Sequence, residues 1–338
     1  MSRRHPCDYR PDPSSNDEMP SSLKAERPQQ PPASSVARAR LIGRRLGYVA
    51  CALAGCCWGT GFFFGKIAFS RLGVGHYVLY RFIFACIGML PIVETPRFSR
   101  REWTLLLIGA FLGIPVQFII QFEGLRLTTV SHAALMVGTM PVILAVGATL
   151  FAHERLDLKG WLALLGSTAG IVLIVFSASH GAIGEGDLWG DLLVVASLVI
   201  ALGWVLINQR LMAQGCSPSA VSSWTLLTGS AMLFPWVLIR DGFPPVRGLG
   251  WHVWFAVAAS GLLCTAAATL LWNWGIHRVP ASRAGVFLNI EPALGSILGV
   301  AVLGERLGPG TWIGGALIIA AAFVLTTSGH ADPEVIMT

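Results

Sequence analysis

The sequence has few charged residues, and this scarcity restricts where the chain can reside. Charged residues make up 12% of the chain and hydrophobic residues 54%, whereas a soluble domain carries about 25% charged residues. Most of the chain therefore belongs where charge is not tolerated, which predicts an integral membrane protein in a lipid bilayer. The net charge of +6 is not gathered into a basic face with interleaved aromatic residues, so nucleic acid is not an expected partner.

Motifs for metal binding, ATP hydrolysis and catalysis are also absent from the sequence. The seven cysteines form no CxxC pair and most lie in apolar runs, so we expect neither a disulfide framework nor a zinc site. There is no HExxH spacing and no Walker A sequence, which argues against a metal cofactor and against direct ATP drive within this chain. Because no nucleophile, metal ligands or acid and base pairs cluster at one membrane depth, we expect a protein that uses no cofactor and is not an enzyme.

Long apolar runs are what the sequence does contain. A transmembrane helix needs about 20 mostly apolar residues. Ten such runs are present, at 46–65, 77–94, 103–121, 130–151, 159–177, 189–208, 219–239, 252–273, 282–303 and 312–328. The short connections between them contain Gly, Pro or charge. We therefore predict an all-α integral membrane protein with ten transmembrane helices.

One passage of the sequence occurs twice at a constant offset of 151 residues. This offset superposes Pro141 on Pro292 and the triplet Glu154-Arg155-Leu156 on Glu305-Arg306-Leu307. Each half then holds five spans, and an odd number reverses the orientation of the second half. The repeat is therefore expected to be inverted, with a pseudo-two-fold axis in the membrane plane, as in many secondary transporters.

The repeat divides the chain into four predicted parts. Residues 1–45 are rich in proline and lack an apolar period, so we expect a disordered cytoplasmic tail. Residues 46–178 and 187–328 are the two five-helix repeats, and 329–338 form a short tail. With the N-terminus inside, twelve Lys and Arg near the span ends face the cytoplasm and six face outside. This ratio favours two cytoplasmic termini in a cell membrane.

Motifs in both halves resemble a known family of transporters. The first half has Trp58-Gly59 followed by Phe62, then Arg81-Phe82, and it closes with Glu154-Arg155-Leu156; the second repeats the pattern with Glu291-Pro292 and Gly304-Glu305-Arg306-Leu307. Over about residues 46–328 the chain resembles the EamA branch of the drug/metabolite transporter superfamily. The resemblance implies ten helices in two inverted five-helix repeats around a central cavity. It also implies export or exchange of amino acids or other small metabolites.

Eight polar or aromatic residues inside the predicted spans are candidates for substrate binding. They are Trp58, Arg81, Gln117, Gln121, Trp204, Asn273, Asn289 and Glu291. Glu291 lies nine residues into its span, where a carboxylate is costly unless it is hydrated, paired or protonated. It either binds an ammonium group or a proton in the cavity, or is a protonated acid bonded to the helix backbone loosened by Pro292.

The other candidates have alternative interpretations as well. Arg81 is either a clamp for a carboxylate or phosphate or a side chain that snorkels to the outer interface. Gln117 and Gln121 share one helix face and either bind substrate or hold helices together, and Asn273 and Asn289 have the same two readings. Trp58 and Trp204 lie mid-span, which favours either a cavity wall or the protein core; an aromatic cavity wall would suit apolar or aromatic substrates and could also hold cations.

Three further residues are interpreted as structural or regulatory. His132 occupies the place of Arg283 in the repeat, and it is either a pH-sensitive gate or an interfacial polar residue. Glu154 and Glu305 lie at span ends, where we expect repeat-closing turns or loop salt bridges.

The function predicted from the sequence is secondary active or facilitative transport by alternating access. The expected cargo is a small metabolite, above all an amino acid or related compound, that is exported through a central cavity. Protons are a candidate coupling ion through Glu291, and uncoupled efflux is equally consistent. The oligomeric state stays open. The alternative is a membrane channel or regulatory membrane protein without carrier activity, which counterflow exchange would distinguish.

Overall fold

The computed structural model describes residues 33–95, 97–140, 142–143, 146–147, 158–179, 187–276, 278–279 and 285–328. Within these ranges all regular structure is helical. The predicted tails at 1–32 and 329–338, and the triplet Glu154-Arg155-Leu156, lie outside the described residues. The helices are α1 Ala33–Gly59, α2 Gly61–Ala68, α3 Val74–Met89, α4 Arg100–Phe111, α5 Gln117–Leu127, α6 Val130–Val137, α7 Leu158–Ser179, α8 Leu188–Ala213, α9 Pro218–Asp241, α10 Trp251–Gly261, α11 Ala268–Ile276, α12 Ile290–Ala301 and α13 Pro309–Ser328.

The first helix begins earlier than the sequence predicted. The tail was expected to be disordered through residue 45, but α1 starts at Ala33, directly after Pro31 and Pro32. The segment from 33 to 41 contains three Ala and two Arg, which have high helix propensity. Proline is also well accommodated ahead of a helix start. Local propensity therefore extends α1 beyond its apolar part.

Six helical segments in the described part of the chain are long and apolar enough to cross a membrane. They are Ile42–Ala68, Val74–Ile92, Arg100–Leu127, Leu188–Ala213, Pro218–Asp241 and Trp251–Gly275. Shorter apolar helices occupy Trp161–Ile174, Phe287–Ala301 and Pro309–Ala321. These segments support a multi-pass membrane protein. The count of ten spans and the inversion of the repeat stay predictions.

Two of the long segments contain a π-helical turn at matched positions. Leu112–Val116 joins α4 to α5, and Leu262–Ala267 joins α10 to α11. Moved by the repeat offset of 151, residues 112–116 fall on 263–267. In the first turn Pro115 has no backbone N–H and cannot close an α-helical bond, whereas the second turn has no proline. The same irregularity thus occurs in both halves from different local sequences.

Helix interruptions lie where the sequence predicted continuous spans. In the predicted span 130–151, α6 ends at Val137 and a turn leads to Met140. In the predicted span 282–303, a 3-10 turn over Gly285–Asn289 precedes the start of α12 at Ile290. A proline follows each interruption, Pro141 or Pro292, and proline is tolerated in the first turn of a helix because the N–H that it lacks would have no partner there. Non-helical backbone at membrane depth is tolerated where it is buried in protein or lines a cavity.

Close packing of α7 against α13 depends on two glycines. A Cβ atom added to Gly170 would lie 2.6 Å from the carbonyl oxygen of Gly314, and one added to Gly314 would lie 2.5 Å from that of Gly170. Each glycine therefore lets the opposite backbone approach directly, as small residues do in membrane helix pairs. These GxxxG positions form a contact within the chain.

Candidate substrate cavity

A cavity of about 340 Å³ lies inside the helical bundle. Both predicted halves contribute to its wall, which is mostly apolar and rich in aromatic side chains. The polar lining residues are Arg81, Gln117, Gln121, Asn208, Ser222, Thr225, Thr265, Thr269 and Glu291. This size and this mixture of an apolar wall with a few polar groups are typical of small-molecule sites.

Six of the eight candidate residues line this one cavity: Trp58, Arg81, Gln117, Gln121, Trp204 and Glu291. The structure does not place Asn273 or Asn289 among the lining residues. Asn289 ends the 3-10 turn before α12, and its neighbours Leu288 and Glu291 take the positions at the cavity instead. Asn273 lies one turn beyond the lining residue Thr269, near the end of α11. Substrate binding by the six residues stays a prediction.

Arg81 is buried inside the bundle, with 6% of its surface exposed. Its guanidinium carbon lies 5.2 Å from the ring centroid of Phe118 and 5.3 Å from that of Phe122. Its Nε donates a hydrogen bond to Thr265 Oγ1 at 3.0 Å. The alternative of a side chain that snorkels to the interface is therefore wrong. Cation–π contacts and one hydrogen bond hold the guanidinium in place at the cavity wall.

The terminal amino groups of Arg81 have room beside them. A Cβ atom added to Gly61 would lie 3.7 Å from Nη1 and 4.0 Å from Nη2, so the start of α2 presents no side chain to the guanidinium. Within the described ranges no carboxylate forms an ion pair with Arg81. A buried guanidinium is thus held in position without a counter-ion in contact.

Glu291 is the second residue of α12 and lines the same cavity. In the described part of the chain, its carboxylate has no hydrogen-bond or ion-pair partner, and Arg81 acts on it electrostatically without contact. The start of α12 stabilises negative charge because backbone N–H groups and the helix dipole point toward it. Bonding of Glu291 to the backbone near Pro292 is not observed; the Pro292 carbonyl accepts from Ser296 Oγ at 2.7 Å.

Several uncharged polar atoms at the cavity wall are buried without a partner among the described residues. They are Gln117 Oε1, Trp204 Nε1, Asn208 Oδ1 and Thr225 Oγ1. Gln117 Nε2 makes only a long contact of 3.5 Å to Gln121 Oε1. Buried polar groups in proteins are nearly always hydrogen-bonded. Four of the six such atoms among the described residues thus lie at this one cavity.

Five polar lining residues were not among the sequence candidates: Asn208, Ser222, Thr225, Thr265 and Thr269. Asn208 follows Trp204 by four residues on the same face of α8, so the tryptophan could have pointed to it. Thr225 and Thr265 lie in apolar runs. Threonine is common in membrane helices as a packing residue, and the sequence offers no signal that separates lining threonines from packing ones.

A second buried polar region lies where α6, α8 and α13 begin, and we call it the His132 cluster. It consists of Thr128, His132, Asp191 and Thr311, all at most 3% exposed. Thr128 Oγ1 donates to Asp191 Oδ1 at 2.6 Å, and His132 Nδ1 lies 3.0 Å from Asp191 Oδ2. His132 Nε2 lies 3.2 Å from Thr311 Oγ1. The interpretation of His132 as an interfacial residue is wrong, and its role as a pH-sensitive gate stays a prediction.

Glu305 is bonded to the beginning of α6. Its carboxylate accepts hydrogen bonds from Val130 N at 2.7 Å, Ser131 N at 2.9 Å and Ser131 Oγ at 2.6 Å. Free N–H groups at a helix start favour a carboxylate there. The structural reading of Glu305 fits this arrangement, but its partners are backbone and Ser131 rather than a loop arginine. Lys66 Nζ donates to the Thr128 carbonyl beside it.

The described residues contain no group of three or more His, Cys, Asp or Glu that could hold a metal ion. His132 and Asp191 are only two such residues, and each is also hydrogen-bonded to a threonine hydroxyl, Asp191 to Thr128 and His132 to Thr311. At the cavity, Arg81 and Glu291 can bind charged groups, and the uncharged polar side chains can form hydrogen bonds.

Comparison with known proteins relates the chain to a family of membrane transporters. The model of the EamA-like transporter family matches residues 45–176 and 188–327. The chain is 24% identical to the uncharacterized transporter YetK of Bacillus subtilis, over 84% of this chain and 88% of that protein. It is 23% identical to an uncharacterized transporter of Archaeoglobus fulgidus, over 82% and 96%. A solved crystal structure with 18% identity has a similar fold, with a TM-score of 0.57 over 83% of this chain and 96% of that one.

Proposed function

The chain belongs to the EamA-like transporter family, and we propose that it carries small zwitterionic metabolites, amino acids above all, across the cell membrane. The observation that carries the proposal is the pair of opposite charges at one cavity. Arg81 and Glu291 both line it, and neither has a counter-ion in contact among the described residues. An α-amino acid brings a carboxylate and an ammonium group on one small body, and so matches both charges.

Electrostatics favours a zwitterion over a singly charged molecule. Taking a charge out of water is costly unless it is paired and hydrogen-bonded. A zwitterion supplies a carboxylate to the guanidinium of Arg81, which can bind it in a bidentate manner, and an ammonium group to Glu291. A simple anion or cation would leave one protein charge unpaired. The rings of Phe118 and Phe122 beside Arg81 provide an apolar surface for the substrate's carbon atoms.

The helix interruptions support alternating access as the mechanism. α6 ends and α12 begins at the cavity, next to Met140 and Glu291, which are partners under the repeat offset of 151. Discontinuous helices at the interface of two repeats form the substrate site in many secondary transporters. We propose that the two inverted five-helix repeats rock against each other around this site. Both termini lie in the cytoplasm in this proposal, and export is the favoured direction.

Proton coupling would use Glu291. A carboxylate that has no contact partner in the described structure can exchange a proton for the ammonium group of the substrate. Uncoupled facilitated efflux uses the same cavity without that exchange. A proton gradient that drives uphill transport through the wild type would indicate coupling; transport that only follows the substrate gradient would favour facilitated efflux.

Counterflow uptake in proteoliposomes tests the carrier proposal. Vesicles are loaded with a mixture of unlabelled amino acids, and trace labelled amino acids are supplied outside. A carrier accumulates label transiently because the unlabelled substrate drives exchange. Absence of accumulation with folded protein would contradict amino-acid carriage. Label flux that is not stimulated by internal substrate would favour the channel alternative.

A further inference from the structure

The cavity has an uncharged polar wall that the zwitterion does not use. Trp204 and Asn208 lie four residues apart on one face of α8, and Thr225 lies on α9, which begins shortly after α8 ends. All three line the cavity, and Trp204 Nε1, Asn208 Oδ1 and Thr225 Oγ1 are buried without a partner in the described part of the chain. We call these three residues the polar wall.

The polar wall lies toward a different end of the bundle from Arg81. Arg81 is two turns into α3 from Val74, and the start of α3 lies beside the end of α9, where His76 Nε2 is 3.2 Å from the Gly242 carbonyl oxygen. Asn208 and Thr225 instead lie near the junction of α8 and α9. That junction contacts the segment after α3, where Ser217 Oγ donates to Glu94 Oε2 at 2.6 Å. The cavity therefore leaves room for a substrate held by Arg81 and Glu291 to extend its side chain toward the polar wall.

The chemistry of the three groups defines what they bind. The indole N–H of Trp204 only donates, the Asn208 carbonyl oxygen only accepts, and the Thr225 hydroxyl does both. None of the three is charged, so a charged substrate group would be poorly compensated. A hydroxyl or carboxamide can accept from the indole and donate to the amide oxygen at the same time. A methyl or isopropyl group would leave all three atoms unpaired.

We propose that the polar wall is a specificity subsite that selects zwitterionic substrates carrying an uncharged hydroxyl or carboxamide group. This inference rests on the proposed function, because it assumes that Arg81 and Glu291 hold the zwitterionic part. The orphaned polar atoms make the subsite selective: a site built to hydrogen-bond a substrate group rejects the analogue that lacks it far more strongly than an apolar pocket rejects an added hydroxyl.

The test compares isosteric substrates in counterflow. Labelled threonine and valine differ by a hydroxyl in place of a methyl group, and asparagine and leucine by a carboxamide in place of an isopropyl group. The wild type is expected to favour the polar member of each pair by about tenfold or more. Thr225→Val and Asn208→Leu each replace one polar-wall group by an apolar group of the same branching shape, and Trp204→Phe removes the indole N–H together with part of the ring. Each is expected to lower the threonine-to-valine ratio of exchange several-fold.

Ser167→Ala is the matched control. Ser167 Oγ is also buried without a partner among the described residues, but Ser167 lies on α7 and does not line the cavity. Its substitution should leave the threonine-to-valine ratio unchanged. Size-exclusion profiles show whether each variant is folded. Because the three variants lie on two helices, the test can still be made if one of them does not fold.

The outcomes separate the two proposals. Robust counterflow with equal exchange of threonine and valine would overturn the specificity subsite and leave the carrier proposal intact. A preference that is unchanged in all three folded polar-wall variants would also overturn the subsite. If neither member of either pair exchanges in the folded wild type, the subsite fails, and absence of counterflow with the full amino-acid mixture would show that the carrier proposal fails as well.

Discussion

The cavity and the His132 cluster are both buried and polar, but they differ in how their groups are paired. At the cavity, Arg81 and Glu291 have no counter-ion in contact among the described residues, and four uncharged polar atoms lack a partner there. In the His132 cluster, Asp191 binds both Thr128 and His132, and His132 also meets Thr311. Paired buried groups stabilise the contacts between helices in the absence of a ligand. Unpaired buried groups cost free energy until a ligand forms hydrogen bonds with them.

The same contrast separates two glutamates that the sequence makes equally prominent. Glu305 accepts three hydrogen bonds at the start of α6, and Glu291 has none from the described residues. Glu305 stabilises the junction between the predicted halves. Glu291 lines the cavity, where the proposed function makes it available to substrate. Substitutions in the cluster should therefore affect stability, and substitutions at the cavity should affect transport.

The largest expected effect is that of Asp191→Ala on stability. The change leaves His132 and the Thr128 hydroxyl buried without their acceptor, and each buried group left without a partner costs about 1 to 3 kcal/mol. The midpoint of thermal unfolding in detergent measures it. Asp187→Ala is the control on the same helix, because Asp187 is an exposed cap whose side chain accepts only from Trp189 N at 3.3 Å. Equal midpoints for the two variants would contradict a structural role for the cluster.

Glu291→Gln should lower counterflow by about 100-fold, the amount expected for one charge-assisted contact with the substrate ammonium group. Its unfolding midpoint should stay at the wild-type value, because the carboxylate has no partner to lose among the described residues. Glu123→Gln is the matched control. Glu123 forms partly exposed ion pairs with Arg126 at 3.1 Å and Arg240 at 2.8 Å, and such pairs contribute little. Wild-type transport in Glu291→Gln would remove this residue from the site.

Gly113→Ala tests whether the polar wall is held in place by packing. A Cβ atom on Gly113 would overlap the indole ring of Trp204 and push it into the cavity. Overpacking of this kind costs about 1 to 3 kcal/mol, so the KM for counterflow should rise about tenfold. Gly203→Ala is the control on α8, since its Cβ would meet Leu112 at an ordinary 3.8 Å. A KM unaffected by Gly113→Ala would show that the position of the Trp204 ring is unimportant.

The sequence predicted the membrane class and the family, and both are confirmed. Hydropathy and repeated motifs suffice for these because they extend over many residues. It did not predict where the helices break, since the interruptions before Met140 and Glu291 depend on the neighbouring cavity as well as on the following prolines. The sequence also could not show which of Glu291, Glu305 and His132 is paired inside the protein. The bonds of His132 to Asp191 and of Glu305 to Ser131 join residues far apart in the chain.

The smallest expected effect is that of Glu305→Gln. An amide keeps one oxygen that can accept from the start of α6, but its NH2 group cannot accept at the other position, and the negative charge that favours a helix start is lost. The expected loss is about 1 kcal/mol, seen as a small decrease in the thermal midpoint with transport retained. Arg306→Gln is the control, because Arg306 is exposed and should leave the midpoint unchanged. If Glu305→Gln instead abolished transport at a wild-type midpoint, this fully bonded carboxylate would act in transport, and pairing would no longer separate the two regions.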